Sequence, residues 1–362
     1  MGSAERSRVR QLVLDFLDEG VHIDNIAWYL RSDTPFDPDL LAHALESAIS
    51  HQNLEAVKIC ALAAADQFNI DQAQLIETVF LPAIRNLHSA DDTSWIRTRV
   101  YSWMGKPILL ALTESQAREL LQMLVTYPEF DHDLENVVAA ISRNWPGAVL
   151  DWLGERQAFA RSEQATSRYD AMPFEVYELK RYLAARPDMF LRAARAWFDE
   201  DPTVFPYDGG RLLASVFPEL PAELSRPLEV SFLAEPDTSV EFVLAVLQAF
   251  EGKPCVYGPL RIVVASLQVG SVHLQMARAV IEAGGVVSGE FGFADQATQR
   301  RDLIALWCDD PSETVRAFTA EMVRDLGRTI AVETRRAEQS VAMRRLAYSE
   351  ELIDHGVGGQ TE

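Results

Sequence analysis

The sequence predicts an all-α fold, and three observations in it predict that class. Apolar residues recur at helical steps of three, four and seven along almost the whole chain, as in Val9, Leu12, Val13, Phe16 and Leu17. Helix-start signals return at a near-regular interval. Pro38, Asp71, Pro107, Pro146, Pro187, Pro236, Gly270 and Pro311 each precede an amphipathic run, 33, 36, 39, 41, 49, 34 and 41 residues apart, a mean of 39. The segment from Asp309 to Leu352 has no Pro after Pro311 and a single Gly, Gly327, so little in it opposes one long helix. A helix pair cannot bury its own apolar stripes, whereas stacked pairs bury a continuous core. Two helices with two short connections fill roughly 40 residues, near the unit length of HEAT and armadillo arrays. The expected architecture is a HEAT/armadillo-like α-solenoid of antiparallel helix pairs that ends in one long C-terminal helix.

The first helix stops at Gly20, and Asp24 caps a short one through Ile26, Ala27 and Leu30. Asp37-Pro38-Asp39 opens the next, with Leu41, Ala44, Leu45, Ala48 and Ile49 on one side, and Asn53 begins its partner, Leu54 to Ala65. Asp71 starts a third pair whose core face is Leu75, Ile76, Val79 and Phe80. Lys106-Pro107 leads an apolar stretch, and Thr113 with Gln116 spells a capping box. Arg261 to Leu267 is β-branched, but its flanks are helical, so it reads as a buried helix. Two stretches break the pattern. Residues 161–168 are polar with no apolar stripe and read as a hinge or longer connection. Gly284 to Gly292 holds four glycines in nine residues and must be a loop. The chain therefore divides into helical repeats over 1–160, the hinge at 161–168, further repeats over 169–308, the long helix at 309–352 and a flexible tail at 353–362.

The balance of 48% apolar and 24% charged residues supports a folded core and argues against disorder. Net charge is −21, with 11 basic and 21 acidic residues in 1–150 giving −10 there and −11 in the rest. An evenly acidic surface repels phosphate backbones, so bulk nucleic acid is disfavoured as a partner. Cys60, Cys255 and Cys308 are far apart and form no CxxC, which fits a reducing compartment. No apolar run reaches the ~18 residues of a membrane span, and Met1 to Arg6 lacks a signal-peptide core, leaving the cytoplasm as the expected location.

The search for chemistry returns exclusions. Gly105-Lys106 and Gly252-Lys253 are each followed by Pro and lack the earlier Gly of a phosphate-cradling loop. No two of the seven histidines stand four apart, and Asp131-His132-Asp133 has no second cluster to complete a metal site. The chain is expected to be non-enzymatic, with no cofactor, metal or catalytic residue. Tyr169, Phe174, Tyr177, Tyr182 and Phe190, interleaved with Arg168, Lys180, Arg181 and Arg186, could stack bases; packing between repeats explains the aromatics equally well. On the last helix Arg324, Arg328 and Arg335 share a face roughly opposite Met322, Leu326, Ile330 and Ala337. Arg336, Arg344 and Arg345 add charge on neighbouring faces. Seven Arg against seven Asp or Glu make Ser312 to Leu352 neutral in an acidic chain. These six arginines are the candidate partner-binding residues, for an acidic partner.

From Asn144 onward the wording resembles a known family. Trp145-Pro-Gly-Ala-Val-Leu-Asp-Trp-Leu-Gly-Glu-Arg156, Tyr169-Asp-Ala-Met-Pro-Phe-Glu-Val-Tyr-Glu-Leu179 and Met343-Arg-Arg-Leu-Ala-Tyr-Ser-Glu-Glu-Leu352 carry the likeness. They resemble the C-terminal HEAT-like helical-repeat region of bacterial STAND or NACHT-type NTPases and other defence-associated multidomain proteins. These are packing motifs without catalytic content. The resemblance implies a sensing or protein-binding module in bacterial anti-phage defence, with the NTPase and effector elsewhere. No NTPase motif occurs in this chain, so it is expected to be a detached sensor-like piece or to act with a separate enzyme subunit. The expected partner is another protein, an enzyme subunit or a phage protein, with homo-oligomerisation through the C-terminal helix as a further use. The alternative reading is a HEAT-like nucleic-acid-processing enzyme or adaptor, which needs a basic groove that the charge balance opposes.

Overall fold

A computed structural model describes residues 3–32, 36–67, 72–97, 106–284 and 287–356. Every regular element among them is helical, and no strand occurs among the described residues. The chain forms two compact units, Met1–Glu200 and Asp201–Glu362. Residues 161–168, the expected hinge, lie inside the first unit.

The first unit holds α1 (Ser3–Asp18), α2 (Ile23–Ser32), α3 (Pro38–Ser50), α4 (Leu54–Ala65), α5 (Gln72–Leu75), α6 (Leu81–Ser89), α7 (Lys106–Leu110), α8 (Glu114–Met123), α9 (His132–Ser142), α10 (Pro146–Ala160), α11 (Leu179–Leu183) and α12 (Pro187–Glu200). Side chains set several starts as the sequence leads one to expect. Asp37 accepts the Leu40 N–H at 3.0 Å with Pro38 in the first turn, and Asn53 accepts the Ala56 N–H at 3.0 Å. Thr113 and Gln116 complete their capping box, the Gln116 side chain accepting the Thr113 N–H at 2.9 Å. Each such cap contributes roughly 1 kcal/mol. Gly20 ends α1 at φ +71°, where an added Cβ would lie 2.3 Å from the His51 ring. A π-helical turn, Ile76–Phe80, joins α5 to α6, because Pro82 has no N–H to give the Thr78 carbonyl. Asp71, the expected start of this pair, falls outside the described residues.

Within this unit helices touch their near neighbours in two rows. One row runs α2, α4, α6, α8, α10, α12; in the other α1 packs on α3, and α7 on α9 on α11. Rungs of polar contacts cross from one step of the even row to the next. Arg31 pairs with Asp66, Lys58 with Asp92 at 3.6 Å, Arg85 with Glu119 and Arg118 with Asp151 at 2.9 Å. The Trp145 indole N–H donates to the Leu112 carbonyl at 2.9 Å. Every one of these rungs spans 33 to 35 residues. Between the rows lies the apolar core, with Leu41, Ala44, Ile59, Cys60, Phe80, Leu121, Val137, Ile141, Trp152 and Leu153 all buried. Burying each large side chain contributes about 1.5–3 kcal/mol, which makes this core the main stabilising term and the exposed ion pairs a minor one.

The second unit holds α13 (Gly209–Val216), α14 (Ala222–Ala234), α15 (Pro236–Ala249), α16 (Tyr257–Ser266), α17 (Val272–Glu282), α18 (Gly292–Ala305) and α19 (Glu313–Gly356). Residues 261–266 are helical as read. Contacts again join near neighbours, α13 to α15 to α17 and α14 to α16 to α19, and α18 lies along α19. The long helix starts at Glu313, later than expected, because Asp310 and Ser312 do the capping. Asp310 is buried, accepts the Ser312 N–H at 2.8 Å and pairs with Arg261 of α16. Val315, Phe318, Met322, Leu326 and Ala337 are buried along one stripe. Arg278 of α17 pairs with Asp325 at 2.8 Å, and Arg344 pairs with Glu290, just ahead of α18. The helix continues through Gly356, four residues into the stretch expected as a tail. Residues 357–362 and the side chains of Tyr348 and Leu352 lie outside the described residues.

Candidate interaction site

The six arginines singled out by the sequence all lie on α19. Arg324, Arg328, Arg335, Arg336, Arg344 and Arg345 are exposed, on the side away from the buried stripe or beside it. Their charge is partly met locally: Arg328 lies 3.2 Å from Asp325, Arg336 lies 3.9 Å from Glu333, and Arg344 pairs with Glu290. They are spread along the exposed faces of one helix.

A second arrangement, in the first unit, was missed by the sequence reading. It is built on the loop between α10 and α11, residues 161–178. Arg156 follows Val149, Trp152 and Leu153 at helical spacing, so it faces the core and is completely buried. Its Nη1 donates to the carbonyls of Leu124 at 3.1 Å, Val125 at 3.2 Å and Tyr127 at 2.7 Å, at and just beyond the C-terminal end of α8. Its Nε donates to Ala171 at 3.2 Å and its Nη2 to Asp170, both in the loop. The guanidinium lies over the rings of Tyr169 at 4.6 Å, Trp152 at 5.2 Å and Phe130 at 5.7 Å.

Helix C-terminal carbonyls are unpaired and carry the negative end of the dipole, so a cation fits there without a carboxylate. Burial pushes the guanidinium down to about 10, still far above neutrality, so it remains charged. The Tyr169 hydroxyl donates to the Val125 carbonyl, and burial pushes this phenol up to about 12.

Glu135 pins the other end. It is buried on α9, and one carboxylate oxygen accepts the N–H groups of Tyr177 at 2.5 Å, Glu178 at 2.9 Å and Leu179 at 3.2 Å. These are donors at the start of α11 that the helix itself leaves unpaired. Between the two pins Ala171, Met172 and Val176 are buried, while Phe174 and Tyr177 are 72% and 71% exposed. The aromatic set read from the sequence is thus split. Phe190 is in the core and Tyr169 packs tilted against Phe159, with ring centroids 5.0 Å apart, while Phe174 and Tyr177 face water.

A cleft of about 510 Å³ opens where the N-terminal ends of α8, α10 and α12 meet. Its Arg118 is held by Glu114 at 3.0 Å and Asp151 at 2.9 Å, and its Arg192 by Asp188 at 3.3 Å, so its charges are largely matched. Among the described residues no three His, Cys, Asp or Glu side chains gather to hold a metal ion. Asp131, flanking His132, is occupied as the cap of α9, accepting the Leu134 N–H at 2.9 Å. Cys60 is buried, which pushes its thiol up to about 12 and disfavours the nucleophilic thiolate. No helix among the described residues is long and apolar enough to cross a membrane. No family model, curated protein or solved structure matches this chain.

Proposed function

We propose that this chain is a non-enzymatic α-solenoid that binds another protein. The observation that carries this reading is the ladder of cross-helix contacts, which span 33 to 35 residues from α2 to α10 and 39 from α10 to α12. A rung that repeats at one sequence interval means that each helix pair meets the next in nearly the same way, as stacked repeats do. In the second unit Lys253 reaches the Pro218 carbonyl at 2.6 Å over 35 residues, while Arg278–Glu321 and Arg261–Asp310 span 43 and 49 residues. The interval of 33 to 35 residues is shorter than the ~40–47 residues of HEAT and armadillo units and close to the ~34 of tetratricopeptide ones. Arrays of this kind offer extended surfaces for protein partners. The resemblance to the repeat regions of defence-associated NTPases extends the proposal to bacterial anti-phage defence, with a separate enzyme subunit or a phage protein as partner.

The test is affinity capture with the full chain from bacterial lysate, with and without phage. One protein retained at stoichiometric level supports the reading. Salt-sensitive co-purification of DNA with no retained protein overturns it in favour of a nucleic-acid adaptor. In the same assay Arg324→Glu, Arg328→Glu and Arg335→Glu together should leave helicity by circular dichroism unchanged and lower retention of an acidic partner at least about tenfold, the loss of three favourable charge contacts. Undiminished retention removes the α19 face from the interface.

A further inference from the structure

Four neighbouring residues of the pinned loop stand in solvent, two aromatic and two acidic: Phe174, Glu175, Tyr177 and Glu178. Pro173, Val176 and Leu179 alternate with them and are buried, so the backbone beneath is anchored residue by residue. Arg156 holds the carbonyls of Asp170 and Ala171 on one side, and Glu135 holds three successive N–H groups on the other. The Tyr177 hydroxyl donates to Glu175 at 2.7 Å, which keeps a phenol edge and a carboxylate side by side. A long ordered loop on a helical scaffold is a common seat of recognition. Its ordering entropy is lost during folding and not at binding, which favours affinity.

The chemistry of the four side chains selects the partner. Aromatic faces attract Arg and Lys cations, most strongly when a carboxylate is at hand to pair with the same group. A net charge of −21 steers cationic segments toward the chain. We propose that Phe174, Glu175, Tyr177 and Glu178 form the docking surface for an Arg/Lys-rich segment of a partner protein. The partner's cations stack on the two rings and pair with the two carboxylates. This inference rests on the reading of the chain as a protein-binding module and names the class of partner that this face takes.

The test is fluorescence anisotropy of the full chain with a fluorescein-labelled peptide of Arg-Gly-Ser repeats, at about 150 mM salt so that long-range attraction is screened. A Glu-Gly-Ser peptide of equal length is the comparison. The Arg peptide should bind and the Glu peptide should not. Phe174→Ala with Tyr177→Ala changes no charge and should weaken binding about tenfold, two cation–π contacts being lost. Glu175→Gln with Glu178→Gln should weaken it similarly and flatten its salt dependence. Glu46→Gln with Glu77→Gln, two exposed carboxylates elsewhere in the same unit, should change it less than about twofold. The inference is overturned if the Arg peptide does not bind, if the aromatic variant binds as the parent does, or if the distant pair loses as much. Lysate capture in parallel separates the two levels of argument. A partner retained equally by the parent and the aromatic variant overturns this surface alone, whereas no retained partner overturns the binding-module reading with it.

Discussion

Arg156→Met tests whether the buried guanidinium organises the loop. Methionine has a similar length and no donors, so the substitution deletes five hydrogen bonds to carbonyls and leaves little cavity. At ~1.5 kcal/mol for each bond from a charged donor the gross loss is about 7 kcal/mol. Charge burial works in the other direction. Burial lowers the guanidinium to about 10, and at ~1.4 kcal/mol per pH unit that shift costs on the order of 3 kcal/mol. Methionine relieves that cost, so the net loss is about 4 kcal/mol, the size found when one member of a buried polar network is removed.

The assay is urea unfolding followed by tryptophan fluorescence. At a slope of ~2.5 kcal/mol/M the midpoint should fall by about 1.5 M. Trypsin should also cut faster after Arg161 and Arg168, because the Asp170 and Ala171 carbonyls no longer hold the loop. Arg156→Lys keeps the charge with fewer donors and should lie between the two. A loss under about 1 kcal/mol with unchanged cleavage would refute the account. The pH dependence has a definite sign. A base with a lowered folded pKa is protonated more readily in the unfolded chain, so stability rises with pH only above about 10. Arg156 therefore contributes no pH dependence near neutrality.

Two further predictions follow from other buried groups. The Asp310 carboxyl is held below its ordinary 3.8 by the Ser312 N–H and then by Arg261. Its stabilising contribution is present above the unfolded value and is lost as pH falls through the folded one. The urea midpoint of the parent should therefore drop more steeply than that of Asp310→Asn below about pH 4, and parallel curves would remove Asp310 from the acid transition. Among the thiols, Cys60 is buried and Cys308 exposed. Native protein treated with iodoacetamide at about pH 8 should label Cys308 at least a thousandfold faster than Cys60 by peptide mass spectrometry. Comparable rates would mean that α4 opens readily.

The sequence made the helices legible because helix starts are local. Asp37, Asn53 and Thr113 cap through atoms three residues away, so the signal and the effect share one short window. The long helix was equally plain, although its start was placed too early. Pro311 suits a first turn, but Asp310 and Ser312, on either side of it, take the capping role. The period was harder to read. The first intervals between start signals, 33 and 36, match the rungs, while the later 49 was inflated by the stretch ahead of α13, which adds chain without adding a helix of the same rank. The mean of 39 hides a spread that the contacts share, near 34 from α2 to α10 and 35 to 49 beyond it.

The aromatics of the loop are legible in the sequence, but the pins that expose two of them are not. Phe174 and Tyr177 are exposed because Arg156 and Glu135 fix the backbone under them, and both pins act across 14 to 44 residues. No local window contains that information. A weaker signal was nonetheless present. Arg156 stands four residues after Trp152 and seven after Val149, and Glu135 stands three before Val138 and seven before Ser142. Each charge is therefore in phase with a buried stripe, where a helix of a globular array has reason to carry only apolar side chains. A charge at such a position must find several backbone partners, since an unpaired one would cost more than the helix can bear. In a helical protein those partners are the unpaired groups at helix ends and in the adjoining loops. An in-phase charge thus signals that a nearby irregular segment is ordered, and it directs the search for a binding surface to the loop it holds.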